Sequence, residues 1–369
     1  MAVRSFLERV RNNFRGEKVR STRRTQSKST AANAGAELLE VRQLLTVDFV
    51  FQYAGAIGSG VGFEDATNGQ MRRDALQDAA TRLGSMFEND AVVTLSVTSS
   101  ENPASGTLAS AGSAIASSTT VFGGMGVVRQ KVITGVDLNG ATADGSVDVN
   151  WGQTWSINPD PAGIAQNEYD FYFVMYHELL HSMGFLSYIS QNGNDVFGTT
   201  PGNAGTWAKF DEFITDVNQN RVIDNTGVLN ANVWNTGSVG GDSAAGNGLF
   251  FNGPAAMGAN NGQPIGLYTP ATWNGGSSVS HLDTTNPAYR GYVMNHAVGA
   301  GPQNRMLSDI ENGILLDLGY SLANSLTVTE TNGGSLVSDF GRTDSFDVSI
   351  GIRPTSDVVV NIISQDPGE

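Results

Sequence analysis

Two histidines spaced four residues apart constrain this 369-residue chain more than any other feature. They are His177 and His181, in the sequence His-Glu-Leu-Leu-His. Residues four apart on an α-helix share one face, so both imidazoles can bind a single metal ion. Glu178 follows the first histidine, where its carboxylate can act as a general base on a metal-bound water. The motif therefore predicts a helix that carries a catalytic metal site.

The residues around the motif also favour a helix. Phe173, Tyr176, Leu180 and Met183 recur at spacings of three and four, which predicts a buried stripe along one side. Gly184 predicts the helix end, because glycine readily adopts the backbone conformation found there. The alternative interpretation is a chance match on an ordinary amphipathic helix. Only four histidines occur in the chain, which makes such a match rare.

The composition limits the classes of function. The chain has no cysteine, which excludes disulfides and thiolate metal ligands. It has 21 basic and 36 acidic residues, and nine of the basic ones lie within residues 1–30. An acidic, glycine-rich chain suits an exported protein better than a nucleic-acid binder. We therefore predict no nucleic-acid partner, and no stretch is long and apolar enough to span a bilayer.

Residues 1–45 are predicted to be a disordered, basic N-terminal targeting segment. They are rich in arginine, serine and threonine and contain few large apolar side chains. A nucleic-acid-binding tail is the less favoured alternative. The stretch 36–45 resembles the head of many exported bacterial proteins, which implies a secreted or cell-surface location.

Residues 46–323 are predicted to form one α+β domain with a mixed sheet. Alternating or continuous apolar residues predict several strands. These are residues 47–52, 92–97, 127–128, 132–133 and 146–151. An apolar stripe at Leu76, Ala79, Ala80 and Leu83 predicts a helix within 71–87. Strands that lead to a metal-binding helix indicate a sheet with helices packed against it.

Residues 185–280 are dominated by glycine, asparagine, threonine and proline. A loop this long fits a compact domain only as a functional insertion. Oxygen-bearing side chains alternate in 216–224, as in a calcium loop, but Arg221 replaces the required glycine and Gly227 the closing glutamate. We favour a hairpin turn after a strand at 210–215 and leave a bound calcium ion open.

Three later features complete the pattern: the sequence Ser-His-Leu-Asp at 280–283, Met294, and a capping box at 308–311 that opens a helix ending near Gly319. With the motif at 177–185, they resemble the leishmanolysin-like branch of the metzincin metalloproteases. The compact metzincin motif ends in a third histidine, where this chain has Ser187. In the resembling branch the third histidine follows an insertion instead.

The resemblance covers residues 170–320 well and the upstream sheet loosely. It implies that His177, His181 and His281 bind Zn²⁺, that Glu178 is the base, and that Met294 is the Met-turn residue. It also implies that the strand 146–151 is the edge strand that aligns an extended peptide substrate. Several alternatives stay open. They are His281 as an ordinary loop histidine, His296 as the third ligand or a substrate contact, Met294 as core filling, and Met306 as the Met-turn residue.

The implied function is a secreted zinc-dependent endopeptidase that hydrolyses protein or peptide substrates with Glu178 as general base. No tyrosine can be assigned to the oxyanion, although Tyr289 and Tyr292 lie near Met294. One alternative is a cell-surface adhesion or matrix protein whose metalloprotease-like domain only binds. Glu178 disfavours it, because a binding module has no use for a carboxylate there. A zinc hydrolase of non-peptide amides is a third interpretation.

Residues 324–369 have a different pattern, with short apolar runs at 326–329, 346–350 and 358–362. They resemble the start of a Calx-β-like or cadherin-like repeat. A β-sandwich needs about seven strands, so we predict an incomplete β-sandwich repeat belonging to a longer polypeptide. Further repeats of this kind imply attachment to a cell surface.

Overall fold

The computed structural model describes residues 46–116, 120–122, 126–197 and 207–323, together with the backbone of 326–330 and 346–350. Within these ranges the fold is α+β, as predicted, with a mixed sheet and six α-helices. The segment 1–45 and the predicted strand 358–362 lie outside the described residues. The domain boundaries at residues 45 and 323 remain predictions.

The main sheet has four strands in the order β1-β2-β4-β3. They are β1 (Val47–Tyr53), β2 (Ala91–Ser100), β3 (Ala109–Ser113) and β4 (Gly145–Asn150). The first three in this order run parallel, and β3 runs antiparallel to β4. The predicted strands near 47, 92 and 146 are therefore confirmed. The prediction that 146–151 is the edge strand is wrong, because β3 covers the outer side of β4.

Two helices flank the sheet. Helix α1 (Gly69–Gly84) confirms the predicted helix, and its four stripe residues are fully buried. Helix α2 (Val127–Thr134) replaces the two short strands predicted there, so that prediction is wrong. Paired valines favour strands locally, yet Val128 and Val132 lie four residues apart on one helical face and are buried in the core. Tertiary burial decides between the two states.

Helix α3 (Phe171–Ser182) carries the two-histidine motif and packs against β3 and α1. It follows a short parallel pair, β5 (Trp155–Ser156) and β6 (Tyr169–Asp170). The Asp170 carboxylate caps the helix by accepting the Phe173 N–H at 3.1 Å, and it pairs with the Arg305 guanidinium at 2.9 Å. The four predicted stripe residues are buried, but so is almost every other side chain of the helix.

The described parts of the insertion, residues 185–197 and 207–280, bury several of their own aromatic side chains. They contain α4 (Ala231–Gly237), α5 (Pro254–Ala259) and an antiparallel sheet of β7 (Ile214–Thr215), β8 (Phe250–Phe251) and β9 (Ile265–Gly266). Trp207, Trp234 and Phe251 are completely buried. The hairpin turn predicted at 216–220 is confirmed, since Thr215 bridges Arg221 across it. The strand before the turn is shorter than predicted, because 210–213 form a 3₁₀ turn.

Helix α6 (Asp309–Asp317) starts with the predicted capping box. The Ser308 hydroxyl accepts the Glu311 N–H at 3.2 Å, and the Glu311 carboxylate accepts the Ser308 N–H at 2.7 Å. Beyond it, β10 (Leu326–Glu330) pairs antiparallel with β11 (Phe346–Ile350), which agrees with two predicted strands. Among the described helices, none combines the length and apolarity needed to cross a bilayer.

Candidate metal centre

The structure brings three histidines from distant parts of the chain to one point. His177 and His181 project from α3, and His281 arrives from the end of the insertion. Each Nε2 atom lies 3.0 Å from the other two. His181 and His281 are buried, and His177 is partly buried. Among the described residues, this cluster could hold a metal ion.

Backbone carbonyls fix the orientation of all three rings. A carbonyl oxygen only accepts, so each Nδ1 that contacts one must carry the proton, and each Nε2 must carry a lone pair. The three rings therefore present lone pairs to a common centre, as metal-binding histidines do. The Nδ1–carbonyl pairs are His177 with Val293 (2.7 Å), His181 with Phe185 (2.8 Å) and His281 with Ser277 (2.8 Å).

A bound cation explains the arrangement of the three rings, which would be unfavourable without one. Three converging lone pairs repel one another, and no proton remains to bridge them. A tetrahedral Zn²⁺ with Zn–N bonds of about 2.05 Å separates its nitrogen ligands by about 3.3 Å. The observed 3.0 Å is close to that value. Imidazole suits zinc but also copper, iron and nickel, so the geometry alone does not decide the ion.

Burial also keeps the three imidazoles in the neutral form that binds metals. Desolvation lowers the pKa of His177 to about 4 and that of His181 to about 3. The pKa of His281 is lowered in the same direction by burial, and its two histidine neighbours add to the effect. Because protonated imidazole cannot bind a metal, the site is competent throughout the neutral range.

Acid release of metal should follow these lowered pKa values. In the folded chain a proton competes for the ligand nitrogens only below about pH 4, whereas solvated imidazole titrates near 6.5. We expect zinc-loaded protein dialysed at pH 5.5 to retain one ion per chain and to lose it below about pH 4. Elemental analysis across a pH series measures this. Release centred near pH 6.5 would contradict the buried cluster.

Glu178 lies beside the cluster and faces the sheet. Its side chain is 8% exposed, and its carboxyl accepts the backbone N–H of Ala111 on β3. Burial raises its pKa to about 8, against the smaller opposite effect of that hydrogen bond. A cation bound by the histidines would lower this pKa again. The carboxyl group can therefore hold or release a proton near neutral pH.

Met294 is fully buried in a tight turn next to His177. Its N–H donates to the Glu311 carboxylate at 2.6 Å, and its carbonyl accepts the Leu282 N–H at 2.9 Å. The carbonyl just before it, that of Val293, is the one that orients His177. Met306, the rival for this turn, is 69% exposed.

The rival ligands do not join the cluster. The Ser187 hydroxyl accepts the Ile189 N–H at 3.2 Å and hydrogen-bonds the Asp211 carboxylate. The backbone N–H and carbonyl of Ser187 contact the Ser280 hydroxyl at 3.2 and 3.3 Å. His296 stacks flat on Tyr268, with ring centroids 3.6 Å apart, and its Nδ1 lies 2.9 Å from the Thr284 hydroxyl.

The cluster lies in an open cleft of about 840 Å³. One wall is the edge strand β3 with the residues before it, and the others are loops that include 186–191, 273–281 and 295–298. Among the described residues, the lining contains no lysine, arginine or aspartate, and Glu178 is the one carboxylate in it. An extended chain could lie along β3, with uncharged side chains on both sides of it.

No protein-family model matches this sequence, no curated protein matches it, and no solved structure matches its fold. The evidence for a metal centre is therefore the histidine cluster itself. The fold is established only as α+β with a mixed sheet. Its placement among the metzincins rests on motif resemblance.

The sequence did not reveal three parts of the site. Strand β3 consists of Ala-Ser-Ala-Gly-Ser, which has no apolar alternation to indicate a strand. The carbonyls that orient the histidines leave no signal in side-chain identity. The third part is Val279, which has a φ of +67° although β-branched residues rarely adopt positive φ. Val279 lies two residues before His281, and its N–H donates to the Tyr268 carbonyl at 2.8 Å.

This backbone strain predicts that glycine at position 279 is more stabilising than alanine, the reverse of the usual order. Val279→Gly should be more stable than Val279→Ala by about 1 kcal/mol, because only glycine adopts a positive φ without a clash. Denaturant unfolding of the metal-free proteins measures the difference. At Val132, which is helical and buried, the same pair should show the opposite order. An alanine variant as stable as the glycine variant at 279 would disprove the strain.

Proposed function

We propose that this chain is a secreted or cell-surface zinc-dependent endopeptidase of the leishmanolysin-like metzincin type. One observation carries the proposal. Three Nε2 lone pairs converge beside a buried glutamate, at the base of a cleft whose wall is an edge strand. A metal site that only stabilises a fold is usually closed by four protein ligands, whereas a catalytic site has three and leaves one position open.

In this proposal His177, His181 and His281 hold the ion, and Glu178 moves the proton. Bound Zn²⁺ would supply a Lewis acid that lowers the pKa of water and polarises a carbonyl group. Glu178 as carboxylate takes the proton of the attacking water and delivers it to the leaving amine. Its position beside the histidines, with the Ala111 N–H of β3 as a hydrogen-bond donor, suits this transfer.

The edge strand supports a polypeptide substrate. Backbone groups of β3 can pair with an extended peptide, so that recognition depends on the main chain more than on one side chain. The described part of the lining has no lysine, arginine or aspartate, which favours uncharged side chains next to the bond that is cleaved. A small non-peptide amide would use little of the 840 Å³ cleft.

The test combines metal content with hydrolysis of an unstructured protein. Purified protein should contain about one zinc per chain and cleave β-casein, and new amino termini should appear in step with the cleavage. A chelator should abolish cleavage, and added Zn²⁺ should restore it. One bound zinc without any hydrolysis would favour the adhesion alternative. Protein without bound metal after zinc loading would refute the proposal at its base.

A further inference from the structure

His296 is the fourth histidine of the chain and lines the same cleft as the metal cluster. The cluster does not include it. Its ring is held from two sides: it stacks on Tyr268 with an interplanar angle of 7°, and its Nδ1 lies 2.9 Å from the Thr284 hydroxyl. These two contacts fix the orientation of a side chain that is partly exposed to the cleft.

Both residues that hold His296 are tied to the third histidine of the cluster. The Tyr268 N–H donates to the backbone carbonyl of His281 at 2.8 Å. Thr284 follows His281 by three residues on the same segment. The position of the His296 ring is therefore fixed relative to His281, as a group that acts on a substrate at the metal centre requires.

The other ring nitrogen of His296, Nε2, has no hydrogen bond to any described residue. A threonine hydroxyl can donate to Nδ1, which leaves a proton on Nε2. Burial lowers the pKa of His296, against a weaker opposite effect of Asp283, so the ring is neutral near pH 7. A neutral ring with a proton on Nε2 is a hydrogen-bond donor that carries no charge into the cleft.

We propose that His296 is a catalytic residue that donates a hydrogen bond from Nε2 to the carbonyl oxygen of the scissile bond. The oxygen gains negative charge as water adds to the carbonyl carbon, so the bond strengthens in the transition state. The amino-acid sequence assigns no tyrosine to this role, although Tyr289 and Tyr292 lie near Met294. The Tyr289 hydroxyl instead accepts the Gly266 N–H at 3.3 Å, and neither tyrosine lines the cleft. The inference rests on the proposed peptidase function.

The test compares three variants of the zinc-loaded protein. His296→Phe keeps a ring against Tyr268 but has no donor, and we expect kcat for β-casein peptides to fall about 10²–10³-fold, with zinc content and KM nearly unchanged. His296→Gln restores a donor and should recover at least about tenfold of that loss. Tyr292→Phe is the matched control and should retain the kcat of the unsubstituted chain. A His296→Phe kcat within about threefold of that value would overturn the assignment. So would equal losses in the His296→Phe and Tyr292→Phe variants, or loss of zinc.

A second measurement separates this inference from the proposed function. A phosphinic peptide mimics the tetrahedral intermediate and needs no turnover. Calorimetry should show that His296→Phe binds it about 10²-fold more weakly than the unsubstituted chain, at equal zinc content. If the unsubstituted chain cleaves nothing, the peptidase proposal fails, and this binding ratio still decides the role of His296. Equal affinities, or no binding by the unsubstituted chain, would overturn it.

Discussion

Glu178→Gln should retain one zinc per chain and lose about 10³-fold or more of the kcat for casein hydrolysis. The physical reason is that glutamine keeps the size and the hydrogen-bonding shape of the side chain but cannot take a proton, and general-base catalysis contributes about 10²–10⁴-fold. The carboxyl group contacts the Ala111 N–H and does not belong to the histidine cluster, so metal content should not change. Turnover and elemental analysis on one preparation measure both quantities.

The same variant offers a readout that does not depend on turnover. In the metal-free protein, burial holds the pKa of Glu178 at about 8, above its ordinary value of 4.5. Because the pKa is 4.5 in the unfolded chain and about 8 in the fold, the group adds nothing unfavourable below pH 4.5. It destabilises the fold progressively between pH 4.5 and 8 and has its full effect above pH 8. Glutamine stays neutral. The metal-free variant should therefore match the unsubstituted chain at pH 4 and exceed its stability at pH 9 by a few kcal/mol, at about 1.4 kcal/mol per pKa unit.

Normal turnover by Glu178→Gln would show that the glutamate is not the base. An unchanged stability difference between pH 4 and pH 9 would show that its carboxyl group is solvated and not buried beside β3. The two outcomes are independent, so the catalytic assignment and the structural description of Glu178 can fail separately.

His281→Ala should lose stoichiometric zinc and, with it, all measurable hydrolysis. Two helical histidines alone leave two ligand positions to water, whereas three converging nitrogens make a site that retains zinc through dialysis. Ser187→Ala and His296→Ala are the matched controls for metal, and both should retain one zinc. The Ser187 hydroxyl bonds Ile189 and Asp211 instead, and His296 is outside the histidine cluster. Elemental analysis after dialysis of the three purified variants decides the ligand set.

Comparing zinc content and turnover across these variants is more informative than either measurement on one variant. His296→Ala should retain zinc but turn over slowly, while His281→Ala should fail in both respects. Full zinc in His281→Ala, or its loss in His296→Ala, would overturn the ligand assignment and the placement in the inserted metzincin branch. Circular dichroism of each variant excludes a general loss of fold as the cause.

Much of the local structure could be predicted from the sequence. The helix with His177 and His181, the capping box at Ser308 and the alternating strand β1 all follow from patterns a few residues long. Such patterns reflect helix and strand geometry, in which side-chain direction repeats with a fixed period. Helix α2 shows the limit, because its valines fit either state locally and only packing against the sheet selects the helix.

The candidate site divides in the same way. Spacing alone puts His177 and His181 on one helical face and Glu178 beside them, because a helix fixes the direction of residues four apart. Only the tertiary structure brings His281 to them across 100 residues, makes β3 the edge of the sheet and holds His296 against Tyr268. These placements depend on contacts between residues that are far apart in the chain. Long-range packing has no sequence period, so no local pattern could determine it.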